Sequence, residues 1–537
     1  MRVDQKQRLS MSDRLAARLA ATEFGRRSSR LWAELRRRPV PNHWTNLFGV
    51  VTAACVFVLF VTGLVLMFFY TPSNDVVTYD GSYAPLRGAE VSKAFDSTML
   101  VSFDVPGGLL VRQAHHWAAL LLPASVILQM LSIYFTGGFR RPRRVAWVLL
   151  FLVFVSALAA GWSGYALPDD MLSGTGLRIV EGITLGIPFI GTDISRLLFG
   201  GAFPGNVLAN LYSLHLAVSV ALLVLLVVRA VVWFRQRSPQ FRGSGRTDTR
   251  VVGVPLVPNA ARRGLGLGLL VSGILVLISA TVTISPIWLY GPSSPGDASA
   301  GSQPDWYTGF LDGALRLVPP GWEFVWLDRT WTLALLVPLA VITLALAIVA
   351  VYPFLEEWIA DDDRDHHLLD RPRDTPTRTG IGVAGLVFFG VLWLAGSADL
   401  VAVAFSLTIE GVIATLQLCV LLGPVIAFEL TRRVCLGLQR KDREVVLHGF
   451  ETGRIVRLPG GEYIEVHRPV SDDERERLVG VVDQVPAVLR PDARGRLTPG
   501  RRLQVRLSRF FFEHRIARPV AAQLEQPDRP PEVSPAR

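Results

Sequence analysis

Eight stretches, each close to the roughly 20 predominantly apolar residues that an α-helix needs to cross a bilayer, constrain the fold of this 537-residue chain more than any motif it carries. They fall approximately at residues 46–70, 110–135, 145–165, 207–233, 264–285, 331–353, 380–397 and 402–430. Inside hydrocarbon the backbone must satisfy its own hydrogen bonds, and segments of this length do so as helices. The expected fold is therefore all-α and polytopic, with eight transmembrane helices in the cytoplasmic membrane.

Arginine fixes the orientation, because short basic loops are retained on the cytoplasmic side. The N-terminal tail, the loop GGFRRPRR (137–144), residues 234–263 and the tail from Arg432 are basic, whereas 71–109 and 166–206 are acidic or balanced. Both termini are thus expected inside. The loop 354–379 fits least well, since it carries Asp361, Asp362, Asp363 and Asp365, but alternation still places it inside. Residues 1–40 lack the apolar core and small-residue cleavage site of a secretory signal and are expected to form an amphipathic cytoplasmic segment on the membrane surface. Four units follow: this segment, a four-helix bundle over 41–240, a second membrane unit over 241–432, and a tail over 433–537 in which RIVRLPGGEYIEVHR (454–468) alternates like a small hairpin around Pro-Gly-Gly. The net charge of +10 sits largely in the cytoplasmic segments, where anionic membrane lipid rather than nucleic acid is the expected partner. Cys55, Cys419 and Cys435 are isolated, so neither a covalently attached haem nor an iron–sulfur cluster can be built from this chain.

Two membrane histidines carry the chemistry. On the topology above, the second and fourth spans both run inward, and His115 and His215 lie at similar depth near their outer ends. Fourteen residues further stand Gln129 and Arg229. Fourteen residues of helix turn through about 1400° and rise about 21 Å, so each later position faces the same way but lies deeper. A lone membrane histidine could be a hydrogen-bonded packing residue. Two at one depth, with Arg112 one turn before the first to neutralise a propionate, favour ligation of a haem iron. His116 points about 100° from His115 and reads as a polar neighbour.

At these residues the chain resembles the cytochrome b subunit of respiratory cytochrome bc complexes, in its longer actinobacterial form, over about residues 40–470. RQAHHW (112–117) matches the first haem-ligand segment; GYALP (164–168) and IPFIGTD (187–193) match the helical hairpin beside the quinol-oxidation pocket; PDWY (304–307) matches the family's PEWY signature. SFDVPGGLLVRQ, GSQPDWYTGFLDGALRL and LLDRPRD look specifically actinobacterial. The resemblance implies a subunit of a quinol:cytochrome c oxidoreductase, a homodimer within a larger respiratory complex. It would take electrons from menaquinol or ubiquinol at an outer pocket, passing one to a Rieske iron–sulfur protein and on to a cytochrome c subunit, and the other to two b haems in series. It places Gly63 and Gly164 against the outer haem bound by His115 and His215. Quinol oxidation also releases protons, for which Asp305, Tyr307 and Asp312 are the candidate acceptors, although a loop helix at the outer surface is polar in any case.

The departures concern one place. The resemblance implies histidines at 129 and 229 for an inner haem, a glycine at 150 and an arginine at 132; this chain has Gln129, Arg229, Leu150 and Ser132. Arginine cannot donate a lone pair to iron, and a glutamine amide oxygen is a poor substitute for imidazole. The expectation is one outer b haem and no inner one, which removes the middle station of the family's transmembrane relay. The alternatives are a non-catalytic or regulatory paralogue assembled in a respiratory complex, and a mono-haem electron carrier. Because a cation in the inner third of a span is costly without a partner, Arg229 is expected either to meet Gln129 in an internal polar cluster, the favoured arrangement, or to reach inward to the lipid headgroups, about one turn from FRQR (234–237).

Overall fold

Charged, glycine- and proline-containing segments cut the apolar sequence into discrete helices. A computed structural model describes residues 22–201, 205–294, 303–479, 486–489, 498–512 and 516. In order, its main helices are α1 (Glu23–Arg37), α2 (Leu47–Leu66), α3 (Lys93–Phe103), α4 (Gly108–Phe135), α5 (Arg144–Tyr165), α6 (Met171–Leu185), α7 (Gly191–Phe199), α8 (Val207–Arg235), α9 (Ala261–Thr281), α10 (Gly309–Arg316), α11 (Leu333–Ala360), α12 (Pro376–Gly396), α13 (Ile409–His448), α14 (Asp472–Val479) and α15 (Pro499–Phe512). Eight of them, α2, α4, α5, α8, α9, α11, α12 and α13, are long and apolar enough to cross a membrane. The first two-thirds of the expected N-terminal surface segment lies mostly outside the described residues.

Two boundaries differ from the sequence reading. The sixth span does not begin at 331, because Glu323–Trp326 (β1) and Arg329–Thr332 (β2) pair as an antiparallel hairpin just before α11. Its turn residues Leu327 and Asp328 both have positive φ, the geometry of a tight hairpin turn usually signalled by Asn-Gly, so the sequence hides it. The eighth span does not run over 402–430. Residues Ala398–Ala404 form a separate short helix, and α13 starts at Ile409, where the Thr408 hydroxyl accepts from Gly411 N. It then continues for 40 residues, past the basic pair at Arg432, because nothing in 431–448 breaks a helix. Beyond it Phe450–Arg457 (β3) and Tyr463–Arg468 (β4) form an antiparallel hairpin with a bulge at Val466 and His467.

The first four spans form a bundle in which α2 lies along α4 and α5 along α8. Its interior is filled by fully buried Cys55, Ala118, Val126, Leu150 and Val153. The loop helix α10 meets α12 backbone to backbone: a Cβ on Gly313 would fall 1.7 Å from the Leu392 carbonyl oxygen, and one on Gly396 would fall 2.3 Å from that of Gly309. Only glycine permits this approach, which seats the segment leading from PDWY.

The acidic loop that fitted the charge rule least well is neutralised by ion pairs. Fully buried Arg378 donates from Nε to Glu356 Oε2 (2.9 Å) and from Nη1 to Asp370 Oδ2 (2.9 Å), and Arg140 also pairs with Asp370. Arg141 faces Asp365, and Arg501 of α15 pairs with Asp361. The cluster ties the α4–α5 loop to the ends of α11 and α12. Removing one partner of such a buried set leaves an uncompensated charge and costs about 3–5 kcal/mol.

Candidate functional site

The bundle lines up glycine and histidine in pairs. A Cβ on Gly63 of α2 would come within 3.3 Å of His115 Cε1, and one on Gly164 of α5 within 2.8 Å of His215 Cε1. The two imidazole rings lie with centroids 6.4 Å apart and planes inclined by 61°. An imidazole nitrogen bonds a metal at about 2.0–2.1 Å and lies about 1.1 Å from its ring centroid, so two imidazoles on opposite sides of one iron hold their centroids about 6.3 Å apart. The observed separation would suit one metal ion held between the rings.

Hydrogen bonds decide which nitrogen points into the gap. Thr62 Oγ1 lies 2.9 Å from His115 Nδ1 and gives its own proton to the Val58 carbonyl (2.6 Å), so its oxygen accepts and Nδ1 carries the hydrogen. His215 Nδ1 lies 2.9 Å from the Ala160 carbonyl, which can only accept, with Ser163 Oγ at 3.3 Å. Both histidines therefore keep the Nε2 lone pair free for a metal, as ligating histidines do when an outer partner fixes the tautomer. Thr62, Ala160 and Ser163 were not singled out by the sequence; each stands close before one of the two glycines, which is the only signal it offers.

Arg112 is buried and donates from Nη2 to the Ser285 carbonyl (2.7 Å), while its Nη1 is buried with no hydrogen-bond partner among the described residues. A buried, half-satisfied guanidinium one turn from His115 suits an anionic group such as a propionate. Gln113 and Trp117 hold the same strand of chain, bonding to Ile284 and to the Val282 carbonyl.

PDWY packs against this site from the side. Asp305 Oδ2 accepts from the Tyr307 hydroxyl (2.9 Å), and Oδ1 lies 3.4 Å from His116 Nε2. His116 is thus a polar neighbour that joins the haem-ligand helix to the loop. Trp306 Nε1 donates to the Leu120 carbonyl, and Trp393 Nε1 to the Trp306 carbonyl. Tyr307 is buried, and a Cβ on Gly161 would fall 2.5 Å from its oxygen. Burial, with Asp305 beside it, holds the phenol far above its ordinary pKa, so it stays a donor. Asp312 is not brought to this pair: it lies on α10 in an ion pair with Arg316 (2.9 Å), which also holds Asp399. Burial pushes the Asp312 carboxyl up, against the pull of Arg316.

One helical repeat deeper the arrangement is different. A Cβ on Gly49 would meet Gln129 Nε2 at 3.2 Å, so Gln129 occupies the level below His115. Leu150 is fully buried, and the Ser132 hydroxyl turns back to the Gln129 carbonyl (2.8 Å). The expected bond between Arg229 and Gln129 is not formed: Gln129 Oε1 and Arg229 Nε are both buried, and among the described residues neither has a partner. The apolar side chains around Leu150 fill the bundle between these helices without bringing the two polar groups together.

A family model described as cytochrome b (N-terminal)/b6/petB matches residues 120–292. The chain is 43% identical to a cytochrome bc1 complex cytochrome b subunit of Streptomyces coelicolor over 499 residues, covering 91% of each protein, and 43% identical to that of Mycobacterium tuberculosis over 445 residues, covering 82% of this chain and 80% of the relative. A solved hyperthermophilic respiratory complex III chain has a similar fold, with a TM-score of 0.58 at 18% identity, over 79% of this chain and all of that one. The eight spans and these relatives make the protein an integral protein of the bacterial cytoplasmic membrane. It belongs to the cytochrome b subunits of the cytochrome bc1 complex, the electron-transporting b-type cytochromes of respiration.

Proposed function

We propose that this subunit binds one b haem, near the outer face between His115 and His215, and serves outer-side quinol oxidation in a quinol:cytochrome c oxidoreductase. The observation that carries this reading is the 6.4 Å separation of two imidazoles whose Nδ1 atoms are both tied off. When bound, the haem supplies a one-electron acceptor beside the quinol pocket. The chain's own contribution is positional. Gly63 and Gly164 would leave room for the ring system, Arg112 Nη1 would receive a propionate, and Thr62 and Ala160 hold the tautomer of the two histidines. Asp305 takes up a proton released by quinol at its carboxylate; Tyr307 orients that carboxylate by donating to Oδ2. Asp312, already engaged by Arg316, is a secondary acceptor. The partners on this reading are menaquinol or ubiquinol, a Rieske iron–sulfur protein and a cytochrome c subunit, with the complex a homodimer.

The inner level does not suit a second haem. Neither Gln129 nor Arg229 offers an imidazole, Leu150 stands where the ring system would need space, and Ser132 offers no cation to a propionate. This favours a second reading, a paralogue that assembles into a respiratory complex without carrying electrons across the membrane. A pyridine haemochrome assay on the purified full chain tests both. One b haem per polypeptide is expected; two, or none, would overturn the assignment. Quinol oxidation by the assembled complex, present or absent, then separates the catalytic reading from the paralogue.

A further inference from the structure

We infer that α15 is an interfacial helix whose outward face binds the anionic headgroups of the inner leaflet. The helix divides into two faces. Gln504, Val505, Ser508, Phe511 and Phe512 are buried against the protein, whereas Arg502, Leu503, Arg506, Arg509 and Phe510 are exposed. The spacing of the second set, at i, i+1, i+4, i+7 and i+8, is one helical face. Leu503 and Phe510, about half exposed at 52% and 49%, stand seven residues apart with the three arginines around them. A polar face rich in arginine interleaved with large apolar side chains is what a helix lying in a membrane interface presents.

The contacts of the buried face set its depth. Gln504 Nε2 donates to the Trp358 carbonyl (2.6 Å), and the Arg501 guanidinium grips both oxygens of Asp361, at the end of α11. From the exposed face, the half-covered Phe510 stacks on Phe428 of α13, with centroids 5.9 Å apart and planes 17° from parallel. Phe428 lies where the apolar part of α13 ends, next to Arg432 and Arg433. The helix therefore spans the inner ends of the sixth and eighth membrane helices. Val425 and Leu430, on either side of Phe428 along α13, are exposed. Three guanidinium groups with no ion-pair partner among the described residues face, at this level, the leaflet that carries the anionic lipids, and the charges are complementary. A soluble acidic protein would satisfy the arginines but not Leu503 and Phe510 at membrane depth, so lipid is the occupant.

The test uses the full-length protein in nanodiscs, either of phosphatidylcholine alone or of phosphatidylcholine with phosphatidylglycerol, and reads amide hydrogen exchange of residues 499–512. Exchange at least about fivefold slower in the anionic discs is expected, with the difference shrinking in high salt. The variant R502Q/R506Q/R509Q should lose the difference, and R502K/R506K/R509K should keep it. Because the lysine variant preserves charge, it separates loss of lipid attraction from undocking of the helix. Equal exchange in the two lipids, persistence of the difference in the glutamine variant, or protection that arises only when partner subunits of the respiratory complex are added would each overturn the proposal.

Discussion

The outer and inner levels of the four-helix bundle share one backbone plan and differ in side-chain chemistry. At the outer level a glycine faces each histidine, each histidine has its Nδ1 proton assigned, and a buried guanidinium keeps one nitrogen open. At the inner level, 14 residues on, one glycine remains opposite Gln129, while Leu150 is packed into the core and two polar atoms are left unpaired. On the proposed assignment of a single haem, a helix repeat carries the geometry of a cofactor site to a second depth without carrying its function. The scaffold needs only helices in register; the site needs the right atoms at each point of contact.

The comparison can be broken most sharply at the ligands. Replacing His115 or His215 with Ala is expected to abolish the reduced b-type absorbance, whereas Gln129→Ala should leave it unchanged; a haem spectrum that survives both histidine changes would remove the outer site from the argument. Next in size, Asp305→Asn should slow quinol oxidation by the assembled complex by about a hundredfold, with Asp312→Asn costing much less and Arg229→Gln nothing, as read by steady-state turnover. Gly164→Ala should weaken haem retention by about tenfold, because the added Cβ falls 2.8 Å from His215 Cε1; Leu150→Ala at the matching inner position should not, and equal losses would mean that both levels hold haem. The smallest effect is a gain. The quadruple change Gln129→His, Arg229→His, Leu150→Gly and Ser132→Arg should raise haem content from about one to about two per chain by pyridine haemochrome. No rise would show that the bundle has closed over the inner level.

Much of this was readable from residue spacing. The eight spans follow from hydropathy, and the common facing of His115 with Gln129 and of His215 with Arg229 follows from the pitch of a helix, because both are local properties of the sequence; the glycines opposite the histidines are implied by the family resemblance. What stayed hidden depends on contacts between distant segments. The pairing of His116 with Asp305 joins positions 189 residues apart, and the glycine contact between α10 and α12 joins Gly309 and Gly313 to Leu392 and Gly396. Thr62 in an apolar helix reads as an ordinary small polar residue until its oxygen is found beside His115. The acidic loop opposes the charge rule on paper because two of its partners, Arg140 and Arg501, come from segments far away in the sequence. The bond between Arg229 and Gln129 fails to form for the opposite reason: facing the same bundle interior does not guarantee contact when apolar side chains fill the space between.

The length of α13 also has a consequence for the tail. Forty residues of helix reach about 60 Å, and the 18 residues past 430 stand about 27 Å of that length off the apolar part. Arg371 and Arg373, both bonded to Asp442, act as a bearing partway along this shaft. The β3–β4 hairpin at its tip consequently has its compass direction written as a phase. Losing one residue between bearing and tip would swing the hairpin by about 100° while lowering it only about 1.5 Å, whereas losing four would return it to within about 40° of its heading and lower it about 6 Å. Chain length in this segment therefore selects which way the tail faces more strongly than how far it reaches.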